Sequence, residues 1–305
     1  MDTGATWKKP LKSFVRTNSL SQSFLVLDLD GTALLEDHGK VFISSSVEEG
    51  VKALYKLKLP VVLNTLRFPL SVISTIGEAW SQLGDVPILT VLLNGSLLGQ
   101  IRRKEGKVVY EEMAAFPMNP EEIAAVVEGV DELVRAKIHD CLFFFYPRNW
   151  KEGEILWTPT REKVAGLQKK FISAARVISG SVEKLAEELF SSPICMASLF
   201  INRPEDTLMA YQHSRRNSFF TAKGVSKASG HREMAKRLNL NPTAALGAGD
   251  TEMDTFLSEV GFAVIVGQAA LRFRGRSETV RVHTPLELGD LILTYAELLQ
   301  GKSIL

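Results

Sequence analysis

Short runs of unbroken apolar residues punctuate this chain, and several of them end on an acid, an amide or a hydroxyl. Phe24-Leu-Val-Leu27 runs straight into Asp28-Leu-Asp30-Gly31-Thr32, and Val61-Val-Leu63 into Asn64-Thr65-Leu66-Arg67. Residues 88–93 are apolar apart from Thr90 and stop at Asn94-Gly95, while Ala244-Ala-Leu-Gly-Ala-Gly249 stops at Asp250. Runs of this length without alternation read as strands covered on both faces. Between them lie stretches with apolar residues three and four apart, at 69–83 and after Lys227 (Ala228, Met234, Ala235, Leu238), which read as helices. Buried strands alternating with helices predict an open α/β sheet. In such a sheet ligands bind beyond the carboxyl ends of the strands, where these polar residues stand.

The middle of the chain has a different texture. Residues 97–102 and 107–111 predict a hairpin about Glu105-Gly106, and 120–137 predicts a helix capped by Asn119. Residues 142–146 and 197–202 read as strands, 160–177 and 181–190 as helices. Mixed pieces over 100–215 predict an inserted α+β domain, within a core made of 23–99 and 216–305. Residues 1–22 are polar on average and are expected to form a loose tail.

Composition narrows the function. A chain of 305 residues with 45% hydrophobic content can bury a sizeable core. Lys plus Arg total 36 against 35 for Asp plus Glu, so no charge excess calls for nucleic acid or a membrane surface as partner. No apolar stretch reaches the length of a membrane span; Cys141-Leu-Phe-Phe-Phe-Tyr146 is a strand at most. Lys8, Lys9 and Lys12 precede no apolar run, so no signal peptide is expected. Cys141 and Cys195 lack ligand spacing and sit in apolar surroundings, as reduced core thiols of a cytoplasmic protein do.

The chemistry concentrates at the first strand end. Asp28 and Asp30 lie on the same side of an extended segment. Crowded carboxylates repel, so both stay ionised only beside a cation, and otherwise one takes a proton. Such a pair suits Mg²⁺ and a phosphate, with one acid as nucleophile and the other moving protons. Gly31 lets the chain turn sharply behind them. The remaining polar positions follow in order: Thr65 with Arg67, Lys227 at the start of a helix, and Asp250 with Asp254 four residues on.

This collinear set of acid pair, hydroxyl, lysine and acid pair resembles the four motifs of the haloacid dehalogenase superfamily, over nearly the whole chain. The resemblance implies a doubly wound, Rossmann-like parallel sheet, a Mg²⁺ cofactor and hydrolysis of phosphomonoesters through an aspartyl-phosphate. It makes Asp28 the nucleophile, Asp30 the general acid/base and Thr65 the holder of a phosphoryl oxygen. Lys227, preferred to Lys223, would offset negative charge. Asp28, the Asp30 carbonyl and Asp250 would hold the metal, with Asp254 anchoring them from behind. The insert, introduced by Leu93-Asn-Gly-Ser96, resembles the type IIB cap of Cof-like phosphatases, a subclass that includes the sucrose-phosphate phosphatases. The implied substrate is a small phosphorylated metabolite, a sugar or polyol phosphate. Arg67, Asn94 and Arg148 are the candidate substrate contacts. Asn149 and Trp150 beside a strand end, and Tyr211, His213, Arg215 and Arg216 near the return to the core, are the other cap groups suited to a leaving group.

Two positions depart from the Cof-like pattern. Leu66 stands where Thr-Gly-Arg would have glycine, and Met253 stands where Gly-Asp-x-x-Asn-Asp would have asparagine, with Glu252 the nearest polar substitute. Two alternatives follow from the same residues. One is a phosphomannomutase-like phosphoryl transfer, against which the tight Gly249-Asp-Thr-Glu-Met-Asp254 spacing argues. The other is a catalytically weak, phosphate-binding regulatory protein.

Overall fold

The structure is a computed structural model, and it describes residues 6–37, 40–83, 86–138, 140–201, 217–271 and 278–303. Helix α1 (Lys8–Thr17) precedes β1 (Phe24–Leu27), a small hairpin of β2 (Leu34–Asp37) and β3 (Lys40–Ile43), α2 (Ser45–Lys56) and β4 (Val61–Asn64). Then α3 (Pro69–Val72) passes through a π-helical segment (Ile73–Gly77) into α4 (Glu78–Trp80), followed by β5 (Ile88–Leu92), β6 (Leu97–Lys104) and β7 (Lys107–Ala115). The next stretch contains α5 (Pro120–Arg135), β8 (Cys141–Pro147), β9 (Glu154–Thr158), α6 (Val164–Lys170), β10 (Ala174–Ser179), α7 (Val182–Ser191), β11 (Ile194–Ile201) and β12 (Asn217–Phe220). The chain closes with α8 (Lys227–Arg237), β13 (Ala245–Gly249), β14 (Phe262–Val266), β15 (Glu278–Val282) and α9 (Pro285–Ser303).

The main sheet has eight strands in the order β15-β14-β13-β1-β4-β5-β6-β7. Every pair from β15 to β5 is parallel, while β6 and β7 return antiparallel. All residues of β1, β4, β5, β13 and β14 are buried, which is why their sequences show no polar alternation. The chain runs outward from β1 to β4 on one side and returns through β13 on the other. Strand order therefore reverses at β1, and it is beyond the carboxyl end of a strand at such a switch point that open α/β sheets bind ligands.

The second sheet, β10-β9-β8-β11-β12, is mixed, with α5 and α7 covering one face. Phe143, Phe145, Ile155 and Trp157 pack beneath those helices, and the alternate residues Leu142, Phe144, Tyr146 and Leu156 join the apolar cluster of the main domain. Helix α5 begins with the expected Asn119 cap, here a reciprocal capping box with Glu122.

Four expectations change. Residues 8–17 are not a loose tail: Trp7, Leu11, Phe14 and Val15 are buried at helical spacing, and Phe14 lies 5.3 Å from Phe262 and 6.3 Å from Tyr295, ring to ring. The segment is polar on average yet strongly one-sided, and the one-sidedness decides. The hairpin at 97–115 extends the main sheet rather than the insert, because β6 folds straight back on β5, with Leu97 opposite Leu92 and Ile101 opposite Ile88. Residues 217–220 pair with β11, so the inserted sheet reaches past 215. Residues 174–179 form β10 instead of the end of a helix, and β9 was missed; both alternate too weakly to stand out. Among the described residues no helix is long and apolar enough to cross a membrane, and both cysteines are free and buried.

Candidate active site

Strand β1 runs into Asp28 with the backbone still in the ladder, since the Asp28 N–H donates to the Ala248 carbonyl at 3.0 Å. The chain turns at Gly31, with φ +77°, and a Cβ there would stand 2.1 Å from Asp250 Oδ2. Glycine is required on both counts. The turn brings back Thr32, whose hydroxyl lies 3.2 Å from Asp28 Oδ2 and 3.0 Å from Asp250 Oδ1. A hydroxyl missing from the expected set of site residues thus bridges the acids of two strands. Its place four residues after Asp28 in the same turn was the available signal.

Lys227 is the first residue of α8, fixed by the Ser226–Ser229 capping box and by Asn64 Nδ2 donating to the Lys227 carbonyl at 2.9 Å. Its Nζ donates to Asp28 Oδ1 and Asp254 Oδ1, both at 2.6 Å, and all three side chains are buried. Lys223 is exposed, and its backbone N–H donates to Glu122. Asp254 Oδ2 accepts from the backbone N–H groups of Asp250 and Thr251, each at 2.9 Å, and from the Thr251 hydroxyl at 3.3 Å. Asp254 thereby ties the loop after β13 to Lys227.

The electrostatics follow from burial. Burial raises the Asp28 carboxyl well above its usual value; Lys227 opposes this, and Asp254, Asp250 and Asp30 add to it. Asp250 is pushed up to about 6 by burial and by Asp254, with the Thr32 hydrogen bond acting the other way. Burial alone would lower the Lys227 ammonium, but Asp254 and Asp28 outweigh it and hold the proton on. Among the described residues Lys227 is the one cation that touches Asp28 and Asp254, and it cannot balance Asp28, Asp250 and Asp254 together.

That surplus bears on a metal. Asp28, Asp250 and Asp254 each offer a carboxylate oxygen, all within 4.8 Å of one another. Asp254 already has both oxygens engaged, whereas Asp28 Oδ2 and Asp250 Oδ1 share the Thr32 hydroxyl and converge. Few acids and a hard oxygen donor set suit Mg²⁺.

A model of the haloacid dehalogenase-like hydrolases matches residues 25–278. The chain belongs to this family. A comparison with curated protein sequences gives no match. Solved structures share the fold of this haloacid dehalogenase-like hydrolase. BT4131, a sugar phosphatase of subclass IIB, is 18% identical with a TM-score of 0.62, the match covering 93% of this chain and 100% of that one. BT1666 of Bacteroides thetaiotaomicron, a phosphatase of the superfamily, is 20% identical at 0.62, covering 92% and 97%. TM0651 of Thermotoga maritima is 20% identical at 0.60, covering 89% and 96%.

The remaining candidates of this hydrolase fall differently. Thr65 is buried at the end of β4, its N–H donating to the Val91 carbonyl at 2.9 Å and its hydroxyl oxygen accepting from the Arg67 N–H at 3.2 Å. Asn94 has φ +57° in the β5–β6 turn, and its N–H donates to the Thr65 carbonyl at 3.4 Å. Arg67 and Arg148 were expected at the substrate, and the structure gives each another partner. Arg67 grips Asp30 through two hydrogen bonds, because its side chain folds inward from the strand end. Arg148 reaches down to Glu112 of β7 at 2.6 Å, joining the inserted sheet to the main one. Trp150 packs edge-on against Tyr110, with centroids 5.6 Å apart, and Asn149 donates to Glu152. Tyr211, His213, Arg215 and Arg216 lie outside the described residues. Leu66 is buried and Met253 half-buried, both against the large apolar cluster, while Glu252 is exposed. The two departures are accommodated as packing.

Proposed function

We propose that this hydrolase is a Mg²⁺-dependent phosphatase acting on a small phosphorylated metabolite, with Asp28 as nucleophile. The observation that carries the reading is the buried convergence of Asp28, Lys227, Thr32 and Asp250 at the carboxyl end of β1. An anionic nucleophile has to be stabilised there, and Lys227 engages Asp28 Oδ1 while Oδ2 converges with Asp250 Oδ1 on the Thr32 hydroxyl.

Asp28 attacks phosphorus in line as the bond to the leaving oxygen breaks, and Asp30 gives that oxygen its proton. Water then attacks the phosphoryl group on Asp28, passing a proton to Asp30 as the Asp28–phosphorus bond breaks. Thr65 and Lys227 hold phosphoryl oxygens and offset their charge. Mg²⁺ would be held by Asp28, the Asp30 carbonyl and Asp250, and would neutralise charge that Lys227 alone leaves uncompensated. Asp254 holds Lys227 and the Asp250 loop in place. Residues beyond the hairpin act as a cap that excludes water during transfer.

The expected substrates are sugar or polyol phosphates, which fits the likeness in fold to a sugar phosphatase. The test is phosphate release from a panel of sugar, polyol and nucleotide phosphates, with Mg²⁺ and with EDTA. Release that EDTA abolishes, strongest on a sugar or polyol ester, is the expected result. Silence across the panel by folded protein supplied with Mg²⁺ contradicts it.

A further inference from the structure

The groups around Asp28 leave Asp30 alone. Lys227, Thr32 and Asp250 gather on the nucleophile, and among the hydrogen bonds of the described residues none of the three reaches Asp30. Asp30 is instead gripped from the β4 side. Arg67 Nε donates to its Oδ2 at 2.8 Å and Nη2 to its Oδ1 at 2.6 Å, a parallel two-bond fork that fixes both position and plane of the carboxylate. The fork has a seat of its own. Arg67 Nη1 donates to Ser71 Oγ at 3.2 Å and to Thr75 Oγ1 at 2.9 Å, four and eight residues on along the helical run. The Thr75 hydroxyl in turn donates to the Ser71 carbonyl at 2.8 Å. The Arg67 side chain is 2% exposed, against 23% for Asp30, so the rigid partner is the arginine and the held partner is the acid.

We propose that Arg67 is a positioning residue, which fixes the Asp30 carboxyl toward the leaving-group oxygen, and that Ser71 and Thr75 fix Arg67. This rests on the hydrolase reading above. Arg67 exchanges no proton: as the phosphorus–oxygen bond to the leaving group breaks and the bond to Asp28 forms, the proton travels from Asp30 to the leaving oxygen. Lysine in place of Arg67 cannot make two parallel bonds, so the exchange is not conservative here. A misplaced Asp30 matters most for esters whose leaving group needs a proton, and least for an aryl ester whose phenolate departs unaided.

The experiment compares an alkyl phosphate with para-nitrophenyl phosphate in the full chain with Mg²⁺, for wild type, R67M, R67K and the double variant S71A/T75A. Arg67→Met is expected to lower kcat on the alkyl ester about 100-fold and on the aryl ester less than about 10-fold, with KM little changed. R67K falls in the same direction, and S71A/T75A, which leaves both charges in place, shows a smaller loss of the same selectivity. In a D30N background, adding R67M changes neither rate further. Equal losses on both esters, additive with D30N, would overturn the proposal in favour of a purely structural pair. A KM increase at constant kcat would overturn it in favour of substrate binding. Wild-type turnover is the control that separates the claims: without it the hydrolase reading falls, and with it only the role of Arg67 is at stake.

Discussion

Lys227 is the residue on which the electrostatics of the site turn. It is buried, it contacts Asp28 and Asp254 together, and its removal would leave two carboxylates facing each other without a counter-charge. Lys227→Met should lower turnover about 100-fold or more. It should also destabilise the fold by about 3–5 kcal/mol, the usual cost of breaking a buried pair from one side. Lys223→Ala, at an exposed position, should stay within about 0.5 kcal/mol and keep its rate. Parallel kinetics and denaturant unfolding check both; the reverse ranking would move the lysine motif to 223. His231 is a different kind of buried base, one turn further along α8. It is fully buried, stacked 5.8 Å from the Phe24 ring and tilted 6.4 Å from that of Phe256. Burial pushes its imidazole down to about 4 from 6.5. Between those values the unfolded chain binds more protons, so the contribution is neutral above pH 6.5 and stability is lost as pH falls toward 4, by about 3 kcal/mol in all. Unfolding curves across that window should show His231→Leu losing less stability than wild type. Parallel losses would contradict the assignment.

At the scale of elements, α1 is the clearest case of a piece whose role exceeds its composition. Leu11 is fully buried, and Phe14 stacks toward Phe262 of β14 and Tyr295 of α9. Leu11→Ala should cost about 2–5 kcal/mol by urea unfolding with activity retained, whereas a loose tail would give no change. The strands carrying the motifs were legible because their signal is local: an apolar run and its polar end sit side by side in β1, β4 and β13. The polar partner sets were not. Thr32 meets Asp250 across 218 positions and Arg67 meets Asp30 across 37, and no periodicity announces such pairs. The π-helical stretch after Arg67 still reads as a helix, yet the placement of Ser71 and Thr75 four and eight residues beyond Arg67 gains meaning only once the guanidinium turns inward. The misplaced hairpin had its own warning, since Asn94-Gly95 is a reversal signal and a reversal at the end of β5 keeps the next strand in the same sheet.

Across the whole molecule, the inserted sheet does not stand apart from the core. Phe68, one residue past Arg67, packs on Tyr146 with rings 5.6 Å apart, Trp150 meets Tyr110, and Arg148 pairs with Glu112. Leu142, Phe144, Tyr146 and Leu156 continue the apolar cluster of the main domain. The two-part plan was readable from the long interval between Thr65 and Lys227. Its boundaries were not, because strand pairing across a turn, rather than local composition, decides which sheet a hairpin joins. The bond from Asp28 to phosphorus is the step on which turnover depends, and it can be measured directly. The protein is mixed with Mg²⁺ and a phosphate ester that it hydrolyses, quenched in acid within a single turnover, and its peptides are weighed. A phosphoryl group is expected on the peptide containing Asp28, with no adduct or turnover in a folded Asp28→Asn variant. A phosphoryl group on another residue, or undiminished turnover by Asp28→Asn, would contradict Asp28 as the nucleophile.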